Sequence, residues 1–463
     1  MTQSPLRDAL RYAADAVEVP DDPWPGFDRR ERRHRKKRRV RRVALASVVV
    51  AAAGIQTNVV PLPGWAPGVA LASPWSVLAD EPARGALATD EAWLAAMRER
   101  VSGVTDPDGF WAIAGRDRIR VLYAGDVPGA RVALVLVPLR LGFVTSWELV
   151  WYEGPPGATP LDMTMAGNQD AGEPVVTLMR ADAERGGYAL VVGPSGTTVT
   201  ITGSPRYAAA GVVERRQLAS SDGTGVAVAA LEPLAGPPGL DARVSRGDQV
   251  IYEGIVSGGW SSSADGDPWQ PTAAQLADAK KFVRGPAPDA AILASFVKLA
   301  LMDSHLPAAG TTVRLRWSGT VNGQAAMLLS VQPPGGGVIA YAMHGDATSS
   351  RTDVRLLLPA AGADERPIGW RLRAEGGDGR TDEVVVSVPT GTATATVTVD
   401  GRSPVPVSLD AAGSGRTSVP DGAPATVTAH AADGTALAST PVPPFENDSS
   451  RLPGDTPGTR IVP

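Results

Sequence analysis

The side chains able to do chemistry are few and scattered. Histidine occurs four times, at positions 34, 305, 344 and 430. His34 lies inside a run of arginines, and no two of the others stand at metal-ligand spacing. There is no cysteine, which removes disulfides, thiolate–metal centres and thiol nucleophiles. Ser195, in Gly193-Pro194-Ser195-Gly196, is followed by strand-like sequence, whereas a nucleophile elbow needs a helix there. Asp303-Ser304-His305 are contiguous, and contiguity does not build a triad whose members come from separate elements. Asp106-Pro107-Asp108-Gly109 and Asp265-Gly266-Asp267-Pro268 supply carboxylates without the complete calcium-loop pattern, so both read as solvated turns. Arg246-Gly247-Asp248 reads as a hairpin turn. Gly335-Gly336-Gly337 lacks the lysine and following helix of a phosphate loop.

One cluster stands out. Glu148 and Glu153 flank a strand-like segment with Trp147, Trp151 and Tyr152. Trp147, Trp151 and Glu153 share one parity of a strand and would face the same way. They form the candidate ligand surface, of a kind that suits carbohydrate, with an aromatic core as the alternative. A carboxylate pair would also suit glycoside hydrolysis. A cell-wall-active, carboxylate-dependent hydrolase is therefore the alternative to the favoured reading, a non-enzymatic protein. No catalytic residue, cofactor site or metal site is assigned.

The elements that would position such residues recur along the chain. Residues 119–138 and 313–332 match at an offset of 194, pairing Arg120 with Arg314, Gly125 with Gly319, Val127 with Val321, Gly129 with Gly323, Leu134 with Leu328 and Val137 with Val331. Both read strand, turn, strand, with Pro128-Gly129 and Asn322-Gly323 at the turns. Segments 148–154 and 339–345 correspond, as do 191–203 and 387–401, the latter pair placing Ser195 opposite Thr390. A helix-like segment precedes each copy, at 89–101 with Thr89 as its cap and at 288–305. The expected ectodomain is thus two tandem β-sandwich-like (α+β) repeats, mainly β with a few helices, spanning 88–258 and 286–443. Residues 259–285 would link them, and 444–463 would form a disordered tail.

Charge is segregated. Arg29, Arg30, Arg32, Arg33, Arg35, Lys36, Lys37, Arg38, Arg39, Arg41 and Arg42 are opposed in their stretch only by Glu31. Setting these aside leaves 33 basic and 48 acidic residues, a net of −15 on the remainder. An uncharged apolar run follows from Val43, and with Pro61 and Pro63 at its exit it is long enough for a bilayer. This reads as an uncleaved signal anchor at 43–62, followed by a juxtamembrane linker at 63–87. The flanking cations place residues 1–42 in the cytoplasm and the C-terminus outside, in the cell membrane as a single-pass protein. The cations face lipid, so no nucleic-acid partner is expected.

Residues 4–18 read as a short amphipathic helix, with Ser4 as cap and Pro5 at its first position. A helix leading into Val-Glu-Val-Pro-Asp-Asp-Pro-Trp-Pro-Gly-Phe (17–27), an arginine-rich stretch, one anchor and an Ala/Gly/Pro-rich ectodomain resemble uncharacterised single-pass envelope proteins of high-GC Gram-positive bacteria. The layout loosely resembles anti-sigma-type membrane regulators. A zinc-type module of that kind uses His and Cys ligands, and this tail has only His34. The resemblance implies an envelope sensor or regulator, with a cytoplasmic regulatory protein met through residues 1–42 and a cell-wall or protein ligand outside. A structural surface protein with an inert tail is the further alternative.

Overall fold

Short runs of alternating Val, Thr and Ala between Gly- and Pro-rich turns favour pleated strands over helices. The computed structural model bears this out over the residues it describes, 77–101, 112–141, 144–262, 267–374, 379–445 and 460–462. They are mainly β, in several antiparallel sheets with three helices. The tail helix, the cationic block at 29–42, the apolar run at 43–62 and Asp106 to Gly109 lie outside the described residues. Among the described residues no helix is long and apolar enough to cross a membrane.

The chain divides into two compact units. The described residues of the smaller are 112–118, 138–141 and 144–147. There Ala112–Ile113 pairs antiparallel with Leu139 and Arg140, and the Ala114 amide donates to the Pro138 carbonyl.

The larger unit shows one order of elements twice. In the second half, helix α3 (Ala290–Asp303) starts at Asp289, whose carboxylate accepts the amides of Ala291 and Ile292. Strands Thr312–Val321, Gln324–Gln332, Val338–Gly345 and Ser350–Leu358 then form a four-stranded meander. One face packs Leu315, Leu329 and Tyr341 against Phe296 and Val297 of α3. The other packs Trp317 and Ala340 against Ile368 and Trp370. Both faces are covered, which explains why Val338–Gly345 is buried throughout and apolar as far as Met343 rather than alternating. Ile368–Arg373, Arg380–Ser387 and Ser414–Ser418 follow, sharing a core with the sheet ordered Val405–Val407, Thr394–Val399, Ala425–His430, Ala436–Val442.

The first half has helix α1 (Glu91–Val101), which buries Trp93, Leu94, Met97 and Val101. Its cap is Asp90, which accepts the Trp93 amide at 3.0 Å, one residue beyond the expected Thr89. Strand Arg120–Val127 pairs with residues 130–136, and residues 148–153 pair with Thr164–Asp170. Val176–Asp182, Gly186–Val192 and Val226–Leu231 correspond in order to the three-stranded sheet of the second half. Val212–Ser221, Thr198–Ala208, Asp241–Arg246 and Gln249–Ile255 correspond in order to the four-stranded one. The first strand carries a bulge between Val121 and Tyr123 in the first half and between Leu315 and Trp317 in the second, again 194 residues apart.

Three stretches hold more structure than expected. In the described part of 63–87, Leu78 is buried and Arg84 forms a bridge to Tyr123. In 259–285, Gly258–Ser261 pairs parallel with Val176–Asp182, and helix α2 (Ala273–Ala279) begins with a Thr272–Gln275 capping box. At the C-terminus, Arg460–Val462 pairs parallel with residues 214–216, so these three residues of the expected disordered tail are a strand. A hairpin of the first half enters the second. Tyr207 and Val213 lie in the core around Phe296, the Tyr207 hydroxyl donates to the Ser304 carbonyl at 3.0 Å, and Ala360 donates to Ala209.

One exposed pair gives a pH prediction. Arg131 donates to both oxygens of Asp126 at 2.7 and 2.8 Å, and the Gly157 amide adds a weaker bond. These hydrogen bonds, those from Arg131 first, hold the Asp126 carboxyl below its ordinary value of 3.8. A carboxyl depressed in the folded state adds stability above its unfolded value and loses it as pH falls through the folded one. Asp126→Asn will therefore melt slightly below the wild type at neutral pH, with the gap closing in acid. A gap that widens in acid would contradict this.

Candidate functional site

A cavity in the larger unit lies in the second half and is built around a bulge. Strand Thr312–Val321 pairs Leu315 with Leu329 and Trp317 with Leu328, leaving Arg316 as the extra residue between them. A bulge re-aims a side chain without breaking the sheet. Arg316 turns under the loop after Ser350–Leu358, and its Nη2 donates to the carbonyls of Ala363 (2.9 Å), Asp364 (3.1 Å) and Arg366 (3.3 Å). Its Nη1 is buried and meets no partner among the described residues. Burial lowers its proton affinity below the usual arginine value, with Asp364 and Glu365 opposing. A guanidinium starts so far above neutral pH that it stays charged.

Arg284 forms the second wall. Its backbone bridges the same strand: the amide donates to the Arg316 carbonyl, and its own carbonyl accepts from Ser318. Its Nη1 donates to the carbonyls of Val388 (2.6 Å) and Pro389 (3.0 Å), tying down the loop 388–391. Gly285 follows with φ +100°, where a Cβ would strike the Ser318 carbonyl, so only glycine fits.

The cavity volume is about 620 Å³, the scale of a small-ligand site. Leu315, Leu328 and Ile368 give it apolar walls. Phe282 and Leu437 lie at its edge, 70% and 50% exposed. Four arginines, Arg284, Arg314, Arg316 and Arg366, outnumber Asp364 and Glu365, and Arg314 is ion-paired with Asp364. The Arg366 Nε is a further buried donor without a partner among the described residues. The arrangement suits the holding of an anion with an apolar body.

No protein-family model matches the chain, and no curated protein matches it as a relative.

The sequence candidates lie elsewhere. Trp147, in the smaller unit, is 7% exposed, with the Arg118 guanidinium 5.0 Å above its ring. In the larger unit the Trp151 ring lies over Gly167, and the bulge beside it places its extra residue, Ala166, on the partner strand, so Trp151, Tyr152 and Glu153 alternate as half-buried, buried and half-buried. Glu153 accepts from the Tyr188 hydroxyl at 2.5 Å and from Arg180 at 3.0 Å, while Glu148 accepts from Asn168.

Asp303 binds Tyr341 and Arg355, Ser304 turns back to the Ala300 carbonyl, and His305 meets the Pro237 carbonyl, so these neighbours diverge. His344 pairs with Asp353 at 2.7 Å, both buried, and His430 pairs with Thr396. Asp267 is paired with Lys298 at 2.5 Å. Among the described residues no three His, Asp or Glu gather as a metal group. The cationic side chains of 29–42 lie outside the described residues.

The arginine cavity was missed by sequence reasoning. Its signal was nevertheless in the repeat: at the offset of 194, Arg316 stands where the first half has Leu122.

Proposed function

We propose that the chain is a non-enzymatic, single-pass envelope protein whose β-rich outer part binds a ligand in the arginine cavity. The observation behind this reading is the cavity itself, with unpartnered buried guanidinium nitrogens above apolar walls. Such donors are costly to leave unmade, and a bound anion would satisfy them. The outer part reads as two tandem α+β repeats of sandwich type. This is supported by the matched sheet orders and by bulges at the same offset.

The cationic block followed by an uncharged apolar run supports a membrane anchor at 43–62, with residues 1–42 in the cytoplasm. In that arrangement ligand capture outside is coupled to a cytoplasmic regulatory protein through the tail, as in an envelope sensor. Treating intact cells with protease tests the topology. Added protease should remove the chain beyond residue 63 and spare residues 1–42. Full protection of the β-rich part would overturn it.

A further inference from the structure

The two halves treat one location differently. Arg84-Gly85 in the first half corresponds to Arg284-Gly285 in the second. Both arginines form isolated parallel bridges to the first strand, Arg84 with Tyr123 and Arg284 with Trp317. Both glycines have positive φ, +93° and +100°, and each abuts a carbonyl of that strand. Both guanidinium groups donate to the same turn, Arg84 to the Gly193 carbonyl and Arg284 to those of Val388 and Pro389.

In the first half this location already holds a carboxylate. Glu81, three residues before Arg84, accepts the Ser195 amide at 2.9 Å and the Ser195 hydroxyl, and its carboxylate lies 3.9 Å from Arg84. Counting back three residues from Arg284 gives Lys281, which is exposed and paired with Asp278. The second half thus keeps the arginine and the turn, with Thr390 in place of Ser195, but among the described residues it has no carboxylate at the place of Glu81. The acids of the cavity, Asp364 and Glu365, come from the loop after Ser350–Leu358, and Asp364 is paired with Arg314. The second half has instead the cavity and the additional cation Arg316, where the first half has Leu122.

We propose that the second half binds a carboxylate with an apolar body, seated between Arg284, Arg316 and Thr390, where the first half seats its own Glu81. The first half is then self-occupied and the second is open to a ligand. The apolar part of the ligand would lie against Leu315 and Ile368 and emerge beside Phe282 and Leu437. Arg314 is engaged by Asp364, which leaves Arg284 and Arg316, with Arg366 beside them, to meet the ligand. The proposal rests on reading the cavity as a ligand site and adds the chemical class of that ligand. A free carboxylic acid and a peptide C-terminus present the same group.

Calorimetric titration of the full chain in detergent tests this. The probes are octanoate, N-acetyl-leucyl-leucine, their amides and octyl phosphate. At least one acid should bind, about tenfold or more tighter than its amide and tighter than octyl phosphate. Octanoate binding alone would indicate a free acid, and dipeptide binding alone a chain terminus. Lys281→Glu, which restores the first half's internal carboxylate on an exposed position, should weaken binding about tenfold or more with no loss of melting temperature. Arg316→Leu should weaken it similarly, and Glu81→Gln should leave it unchanged.

Equal binding of acid and amide, both lost in Arg316→Leu, would keep the cavity as a ligand site and overturn the carboxylate. Tighter octyl phosphate, wild-type binding by Lys281→Glu, or loss in Glu81→Gln would also overturn it. If none of the probes binds, the carboxylate proposal fails, and the ligand-site reading loses its support with it.

Discussion

Replacing Phe296 with alanine will destabilise the chain by about 3–5 kcal/mol, a large part of the total stability of an ordinary domain. Phe296 is fully buried at the centre of α3, and its neighbours come from three sources. Val297 and Leu293 belong to its own helix, Leu315, Leu329 and Tyr341 to the meander, and Tyr207 to the first half. A cavity surrounded by a helix, a sheet and a hairpin cannot close by moving any one of them, which puts the cost toward the upper end of the range. Phe296→Leu, which refills most of the volume, should recover more than half of the loss. Urea unfolding followed by circular dichroism measures both. A loss for the alanine variant under about 1 kcal/mol would show that the site collapses freely.

Arg215→Ala should cost a comparable amount, about 3–5 kcal/mol, for an electrostatic reason. Arg215 is 4% exposed. Its Nη1 donates to the carbonyls of Gly203 (2.9 Å) and Gly239 (2.8 Å), and its Nη2 pairs with Asp241 at 3.1 Å. Truncation leaves two carbonyls and a partly buried carboxylate without this donor, and water reaches the site poorly. Lysine keeps the charge but cannot present the planar fork, so Arg215→Lys should restore only part of the stability. Arg215→Ala and Asp241→Ala together should lose less than the sum of the two single changes, because the pair is one interaction. Strict additivity in urea titrations would refute the coupling.

Much of the fold was legible because it depends on local pattern. The offset of 194 located matched strands, and the Gly129 and Gly323 turns fell where expected. The helix at 290–303 was visible as the helix-like segment 288–305. The misses have physical causes. Asp90 caps α1 because either Thr89 or Asp90 suits the chemistry, and the backbone selects one. Helix α2 has only seven residues among Gly, Pro and Ser, too few for periodicity to show, though its Thr272–Gln275 capping box was readable. The alternation of Trp151 and Glu153 survives because the bulge beside them lies on the partner strand at Ala166, whereas the engagement of Glu153 by Tyr188 and Arg180 depends on long-range contacts that no two-residue pattern reveals. The arginine cavity was hidden because Arg284, Arg316 and Arg366 lie on three separate segments. Only folding brings them together.

The hairpin carrying Tyr207 bears on how the protein is made. A ribosome releases the first half, with this hairpin, before any residue of α3. The socket that receives Tyr207 therefore cannot close until α3 has been made, after the hairpin that fills it. The second half is consequently not a portable module. Cut out and grafted elsewhere, it would present an open slot beside Phe296, so transplanting the arginine cavity would require taking residues 205–213 with it.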